Sequence, residues 1–370
     1  MASIKLKGDT SGEVTIQAPA VAGTTTLNLP ATSSTLATQN ALGVRNLIIN
    51  GDMRIAQRGT SESGITNALS YLLDRFIFSN SNIGTWTQSQ DSDTPSGQGF
   101  VKSIKLECTA TDTPTGTETV SVQHRIEAQN LQHLKYGTSN AEDCTVSFWV
   151  KSNKTGTYTF AIYQFDGTAQ GISKEYTIDS ADTWEKKTII IEGNTGNGID
   201  NDNGAGLGLY WILSVGSDRY SSPLQTSWGA FNTNAFASSS QVNLADSTSN
   251  YINITGVQLE VGDTATPFEH RPYDMELARC LRYYFYDSPV RIKTYSVAGG
   301  NNSVSRYNFP APMRTTPAIT ITTGTTSNLN YTTAQQITNY GFSITLIALS
   351  AGTVSMGDSN DGALTFNAEL

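Results

Sequence analysis

Residues 251–287, YINITGVQLEVGDTATPFEHRPYDMELARCLRYYFYD, constrain the fold more than any other stretch, because a strand pattern runs there into a helix pattern. Ile252 and Ile254 alternate with polar residues on one parity, and Val257, Leu259 and Val261 continue on the other. Side chains of a strand point to alternate faces, so the slip of phase at Gly256 predicts a β-bulge that re-aims the strand. Downstream, Asp274 is placed to cap a helix, with Glu276 in its positively polarised first turn and Arg279 and Arg282 further along. Leu277, Leu281 and Tyr284 form an apolar stripe at helical spacing, and Pro289 stands just beyond. The segment reads as the last strand of one domain, a linking helix over 273–287, and the entry to another domain.

The rest of the chain is β-like. Strand patterns fall at Arg75–Phe78, Ser103–Cys108, Thr119–Ile126, Thr145–Lys151, Tyr158–Gln164, Lys187–Glu192, Gly208–Val215 and Tyr251–Val261. Eight such runs between polar turns suffice for two packed sheets, and a jelly roll is the common solution. In that topology the first and last strands are neighbours, which puts the entry near Asn50 beside the exit near Leu259. Before this region, residues 1–40 offer only strand fragments, Val14–Gln17 and Thr24–Leu29, broken by Gly12, Pro19, Gly23 and Pro30. They carry too little apolar surface for a core of their own, so other chains are expected to complete their faces and edges. After the helix, 288–370 returns to β alternation at Ala318–Thr322 and Phe342–Ile347, with shorter candidates at Thr353–Met356 and Leu364–Phe366. The expected fold is all-β: an N-terminal extended β segment (1–40), a central jelly-roll β-sandwich (41–272), a short linking helix (273–287) and a small C-terminal β-sandwich (288–370). The helix stripe Leu277, Leu281 and Tyr284 is a candidate oligomer contact, although packing within the chain would use it equally well.

Charged residues make up only 15% of the chain, which suits short strands and many turns better than long surface helices. The net charge of −9 and the lack of a Lys/Arg cluster longer than Lys186–Lys187 argue against nucleic-acid binding, which requires a basic surface. No run of 18 apolar residues is present to span a membrane, and the opening residues MASIKLKGDT lack a leader pattern. Cys108, Cys144 and Cys280 are odd in number and widely spaced, which fits neither a disulfide framework nor a zinc site. Cys108 shares its parity with Ile104 and Leu106 and reads as a small buried hydrophobe.

Catalytic patterns are sparse. The three histidines, His124, His133 and His270, lie in a strand, a pre-turn segment and the interdomain linker, and no G-x-S-x-G elbow, H-E-x-x-H, Walker loop or dinucleotide fingerprint occurs. Glycan hydrolysis needs only two suitably spaced carboxylates, and 32 acidic residues leave that open. The chain has no solenoid period such as a long parallel β-helix would impose. The expectation is that it is not an enzyme.

The quoted segments carry a resemblance. VQLEVG, TPFE, RPYDMELARC and RYYF are similar to the junction found in tail-fibre and tail-associated proteins of tailed bacteriophages, and RNLIINGDMRIAQRGT at Arg45–Thr60 resembles the entry to that family's β-sandwich. VSFWVKSNKTGTYTF at Val146–Phe160 resembles a central strand pair of carbohydrate-binding jelly rolls, and the N-terminal IKLKGDTSGEVTIQAPAVAGTTTLNLP resembles the opening of fibre proteins from marine and cyanobacterial phages. The resemblance implies a virion structural protein assembled in the host cytoplasm: a homotrimeric tail fibre, attached to other tail or particle proteins through its N-terminal segment, that binds a host cell-surface glycan. The rival readings are an appendage or adaptor subunit without host contact and a glycan-degrading tail spike.

Sugar recognition in such modules sets an aromatic ring against a pyranose face, with polar side chains for the hydroxyls. Trp149 and Trp211 sit among apolar strand neighbours and read as core; Trp86 and Trp184 are ambiguous. Trp228 lies in the long polar connection Ser217–Asn234, beside Asp218, Arg219, Tyr220 and Asn232, and is the candidate platform. In the C-terminal region the candidates are Tyr295, Asn301, Asn302, Tyr331 and Tyr340. No cofactor is called for. The run Asp200-Asn201-Asp202-Asn203-Gly204 resembles the start of a calcium loop, but its glycine comes one position early and Trp211 stands where a closing glutamate belongs, so an Asx-rich turn is the first reading. Because carbohydrate-binding jelly rolls often hold a structural calcium, Asp200 and Asp202 are retained as metal candidates.

Overall fold

The computed structural model describes residues 3–7, 11–17, 45–290, 292–296, 302–324, 326–327, 329–348, 352–356 and 362–370. The chain divides into two compact units, Met1–Gly43 and Val44–Leu370. In the first, β1 (Ser3–Lys7) pairs antiparallel with β2 (Glu13–Gln17). The expected strand Thr24–Leu29 lies outside the described residues.

The second unit begins with a two-layer antiparallel sandwich. Its strands are β3 (Ser61–Ser70), β4 (Phe76–Asp91), β5 (Ser103–Ala110), β6 (Thr119–Glu127), β7 (Cys144–Ser152), β8 (Gly156–Gln164), β9 (Gln170–Ile178), β10 (Glu185–Ile191), β11 (Ala205–Val215), β12 (Gly229–Ala230) and β13 (Tyr251–Val261). Strand β4 carries the pairing path round a corner. Its first half, Phe76–Ser81, pairs β6, and its second half, Thr85–Asp91, pairs β5, with Asn82 and Gly84 at φ 66° and 62° between them. One layer therefore runs β10-β7-β13-β5-β4 and the other β4-β6-β11-β8-β9-β12, with β3 along β4. From β5 to β8, successive strands cross from one layer to the other, and β9, β10, β11 and β13 do so again, which is jelly-roll connectivity.

The inward parities meet in one core. Phe148 of β7 makes edge contacts with Tyr176 of β9 and Trp211 of β11, at ring separations of 5.2 and 5.7 Å. Cys108, Trp86 and Trp211 are buried in this core. Trp149, expected there, is only half-buried on the outward parity, because Val146, Phe148 and Val150 occupy the inward one.

Entry and exit are neighbours, as the topology requires: Leu47 N–H donates to the Leu259 carbonyl and Val257 N–H to the Gly51 carbonyl, each at 2.9 Å. The pairing of β13 with β7 shifts between Thr255 and Gln258, which is the bulge predicted at Gly256, whose φ is 62°. The geometry of the junction comes from charges. Arg271 donates to the Ile48 carbonyl at 3.0 Å and to Glu276 and Glu269 at 3.2 Å, while Glu269 accepts the backbone N–H groups of Arg45 and Asn46 at 3.0 and 2.7 Å. The segments RNLIIN and PFEHRPYDME are thus two halves of one clasp, closed around buried Asn46, Arg271 and Glu276.

The helix, α1 (Tyr273–Leu281), is shorter than the expected 273–287. Pro272, not Asp274, takes the N-cap position, and no side chain caps the first turn. Tyr284 belongs to a strand instead, because the aromatic run after Arg282 extends into β14 (Tyr284–Val290) and pairs with β22 (Gly362–Asn367). Leu277 packs on Ile49, Ile55, Cys280 and Tyr283 of its own chain.

The C-terminal β unit has three antiparallel three-stranded sheets. They are β14-β22-β17 (Ala318–Thr322), then β15 (Ile292–Ser296)-β21 (Gly352–Met356)-β18 (Thr326–Ser327), and β16 (Asn302–Asn308)-β20 (Gly341–Ala348)-β19 (Leu329–Gln335). They share a core around Met313, Phe342, Ile344, Leu364 and Phe366. This unit is bonded to the jelly roll. Arg282 makes a paired contact with Glu127 at 2.7 and 2.8 Å, and Arg314 donates to the Asn203 carbonyl at 2.8 Å. Burial works against the Glu127 charge, yet the hydrogen bonds from Arg282 and Tyr283 outweigh it and hold the carboxyl below its ordinary value.

Candidate functional site

The outward parity of the β4-β6-β11-β8 layer builds a cleft. Along β6, Val120 and Val122 point into the core, so Thr119, Ser121 and Gln123 point out, and Ser79 and Ser81 stand beside them on β4 by the same alternation. These five side chains form a floor of small polar groups. Tyr210 of β11 and Tyr163 of β8 rise from the neighbouring strands, and Phe165 follows β8.

The long connection after β11 supplies the facing wall. It folds back over the sheet, where Phe236 and Ala237 N–H groups both donate to the Arg219 carbonyl at 3.0 Å and Ser173 of β9 donates its hydroxyl to the Phe236 carbonyl at 3.0 Å. Phe236 and Ala237 join Ala161, Ile212 and Val215 in a second, smaller apolar cluster on this outer face. Phe231 meets Tyr163 edge-on at 4.7 Å and Phe236 at 5.6 Å, and Tyr163 meets Phe165 at 4.7 Å. The resulting cleft encloses ≈ 370 Å³, lined by polar floor, aromatic wall and the Arg219 side chain.

Two features show that the cleft is not fully satisfied by the chain itself. Gln123 is 7% exposed; its amide N–H donates to Ser121 Oγ at 3.1 Å, but its carbonyl oxygen has no partner among the described residues. Arg219 donates through Nε to the Thr117 carbonyl at 2.8 Å, and no carboxylate pairs with it among the described residues. Burial pulls the Arg219 pKa below its ordinary value, with Asp218 opposing the shift. Burial likewise pushes the Tyr210 phenol up, against a hydrogen bond and the charge of Arg125.

The expected site residues are divided by the structure. Arg219 lines the cleft, and half-buried Tyr220 packs against the small apolar cluster next to it. Asp218 is exposed, its N–H bonded to the Gly116 carbonyl, and Asn232 accepts from Asn234 N–H as a local cap. Trp228 faces elsewhere. It packs against the main core, its ring 5.8 Å from Tyr136 and its indole N–H donating to the Glu192 carbonyl at 2.6 Å. Tyr340 is 63% exposed at a turn. Tyr295, Asn302 and Tyr331 fall in strands whose side chains at those positions are outside the described residues, as is Asn301 altogether. Asp202 accepts the N–H of Gly204 at 2.8 Å within its own turn, and Asp200 N–H donates to Asp166 at 3.2 Å; no group of three His, Cys, Asp or Glu fit to hold a metal occurs among the described residues.

The floor residues and Tyr163, Phe165, Tyr210, Phe231 and Phe236 were not singled out by sequence. The alternation T-V-S-V-Q was visible on β6, but which outward face would be hollow depends on where the 217–242 connection lands.

No family model matches the chain, and no curated protein matches it. Among solved structures it is similar to the enzymatically active domain of tailspike protein 4 of bacteriophage CBA120, at 16% identity over 58% of this chain and 21% of that one, TM-score 0.30. It is also similar to a family 16 carbohydrate-binding module, at 11% identity over 58% and 99%, TM-score 0.28. A third is a family 11 carbohydrate-binding module from Clostridium thermocellum, solved with a β-1,3-1,4-mixed-linked tetrasaccharide, at 10% identity over 56% and 99%, TM-score 0.29. The chain thus spans about a fifth of the tailspike. At such scores these likenesses carry no argument about its ligand, and the class rests on its own topology: an antiparallel jelly-roll sandwich with an open cleft on one outer face.

Proposed function

We propose that this protein is a glycan-binding structural subunit of a phage tail appendage, and that the cleft on the β4-β6-β11-β8 layer is where it holds the host-surface sugar. The observation that carries the reading is the pairing of a hydroxyl and amide floor with an aromatic wall. A pyranose presents hydroxyls at its rim and C–H groups on its face, and this arrangement offers hydrogen-bond partners to the first and ring surface to the second. The virion setting is supported by the junction and N-terminal segments that resemble tail-fibre proteins. Binding without turnover, assembly as a homotrimer and attachment to the particle through the N-terminal hairpin belong to the same proposal. Three copies would make weak single contacts sufficient, since after one cleft engages the others meet their ligands at high effective concentration.

The test is binding of the purified protein to host cells and to their extracted surface polysaccharide, with reducing-end release followed in the same samples and Tyr163→Ala run in parallel. Saturable binding that Tyr163→Ala abolishes, without release, is the expected result. Binding unchanged by the variant would remove the cleft from the reading, no binding by a folded oligomer would favour a purely structural subunit, and steady release would make the protein a depolymerase.

A further inference from the structure

Resting on the glycan reading, we infer that the cleft selects an acidic sugar, a uronate or other carboxylated saccharide, whose carboxylate is seated on Arg219. The first ground is charge placement. The chain carries a net charge of −9, yet no Asp or Glu lines the cleft, and the one charged side chain that does is a guanidinium. The nearest acid acting on it, Asp218, is solvent-exposed and forms no ion pair with it.

The second ground is geometry. Nε of Arg219 is held by the Thr117 carbonyl at 2.8 Å, which fixes the plane of the guanidinium while its two terminal amino groups bond nothing among the described residues. A planar fork with two free donors matches a carboxylate bidentately, a fit that a neutral hydroxyl cannot reproduce. Half-buried as it is, this cation has given up part of its hydration, so an anion in the cleft replaces lost solvation as well as adding attraction.

The third ground lies behind the aromatic wall. Arg125 stands against Phe165, with its guanidinium 5.6 Å from the ring, and donates to the Leu370 carbonyl at 3.0 Å, while its charge acts on the Tyr210 phenol and its buried Nε has no partner among the described residues. It extends the positive potential of that end of the cleft without itself lining it. Ser79, Ser81 and Thr119 on the floor remain for the hydroxyls of the same residue.

The experiment uses the full chain and defined probes: hexamers of galacturonate, of hyaluronan and of α2,8-linked sialate, each beside its carboxyl-reduced form, with neutral gluco- and galacto-hexaoses alongside. The expected result is saturable binding of at least one acidic hexamer, weakened about tenfold by carboxyl reduction and by added salt. Arg219→Gln should erase the difference between acid and reduced forms, Arg219→Lys should restore part of it, and thermal unfolding of both should match the parent. Binding of neutral hexamers equal to that of acidic ones, still lost in Tyr163→Ala, would overturn this inference and leave the glycan reading intact. Acid-selective binding that survives Arg219→Gln would also overturn it. Failure to bind any acidic or neutral glycan would sink both.

Discussion

Arg75 and Glu369, 294 positions apart, form a buried ion pair that fastens the last described strand region to the jelly roll. Arg75 is 2% exposed, lies 3.5 Å from the face of Tyr283, and donates to the Arg125 carbonyl at 2.6 Å. Glu369 also takes Arg58 at 3.3 Å. Arg75 cannot reach water if the Glu369 charge is removed, so neutralising Glu369 leaves an uncompensated charge in a low-dielectric setting. Glu369→Gln should cost about 3 kcal/mol in urea denaturation. The double variant Arg75→Met/Glu369→Gln should recover part of that loss, and a cycle showing no coupling between the two would contradict the account.

His124 predicts a pH dependence. It faces the core between Phe76, with ring centroids 4.9 Å apart, and Leu209, and both its ring nitrogens are buried without hydrogen-bond partners among the described residues. Burial, with the charges of Arg75 and Arg279, holds its pKa well below the ordinary 6.5. The unfolded chain therefore takes up this proton first as pH falls, and stability drops below about pH 6.5 until the folded imidazole titrates, by about 1 kcal/mol per pH unit. His133, shifted down by burial, acts in the same direction, and the raised carboxyls of Asp52 and Asp74 act against it. The informative quantity is thus the difference between parent and His124→Leu in urea midpoints from pH 7 to pH 5. That difference should grow as pH falls; a flat one would mean the imidazole is not buried neutral.

Much of the fold was legible because strand periodicity is a local signal. The limits of β13 were read residue for residue, and the phase slip at Gly256 was a visible break in parity. Strand β3 was missed because only Ile65 and Ser70 are buried along it, so it has no apolar alternation to read. Strand β9 did carry the signal, in Ile172, Tyr176 and Ile178, and its lysine-bearing sequence hid it. The helix was overextended because Leu277, Leu281 and Tyr284 fit helical spacing, whereas cross-strand pairing of Tyr284 with Asn367, 83 positions away, is invisible locally. The cleft was the least legible part. Its floor is ordinary serine, threonine and glutamine until a distant connection walls it, and Trp228 in that connection packs on the core while Tyr163, Phe231 and Phe236 form the wall.

Trp228 and Tyr163 should separate by their effects. Trp228 closes the core over Tyr136 and is tied to Glu192, so Trp228→Ala should lower stability by about 2 kcal/mol while glycan affinity holds. Tyr163→Ala removes half-buried cleft wall outside the main core and should do the reverse, cutting affinity at least tenfold with the smaller stability loss of the two. Titration calorimetry and thermal unfolding on the same preparations decide between them, and loss of affinity in both variants would mean that Trp228 reaches the ligand after all.

Gly256 ties the bulge to the packing of the 92–102 loop. At φ 62° a side chain is strained, and a Cβ there would stand 2.5 Å from Cζ of Phe100, whose ring also meets Phe268 at 5.0 Å and His270 at 5.1 Å. Gly256→Ala therefore incurs both left-handed backbone strain and a clash with a ring that is itself wedged between two others. The expected loss is at least about 2 kcal/mol. Phe100→Leu would relieve the clash and leave the strain, so the double variant should be more stable than the sum of the single losses predicts, by roughly 1 kcal/mol. Strict additivity in a urea-denaturation cycle would show that Gly256 is required for its backbone angle alone.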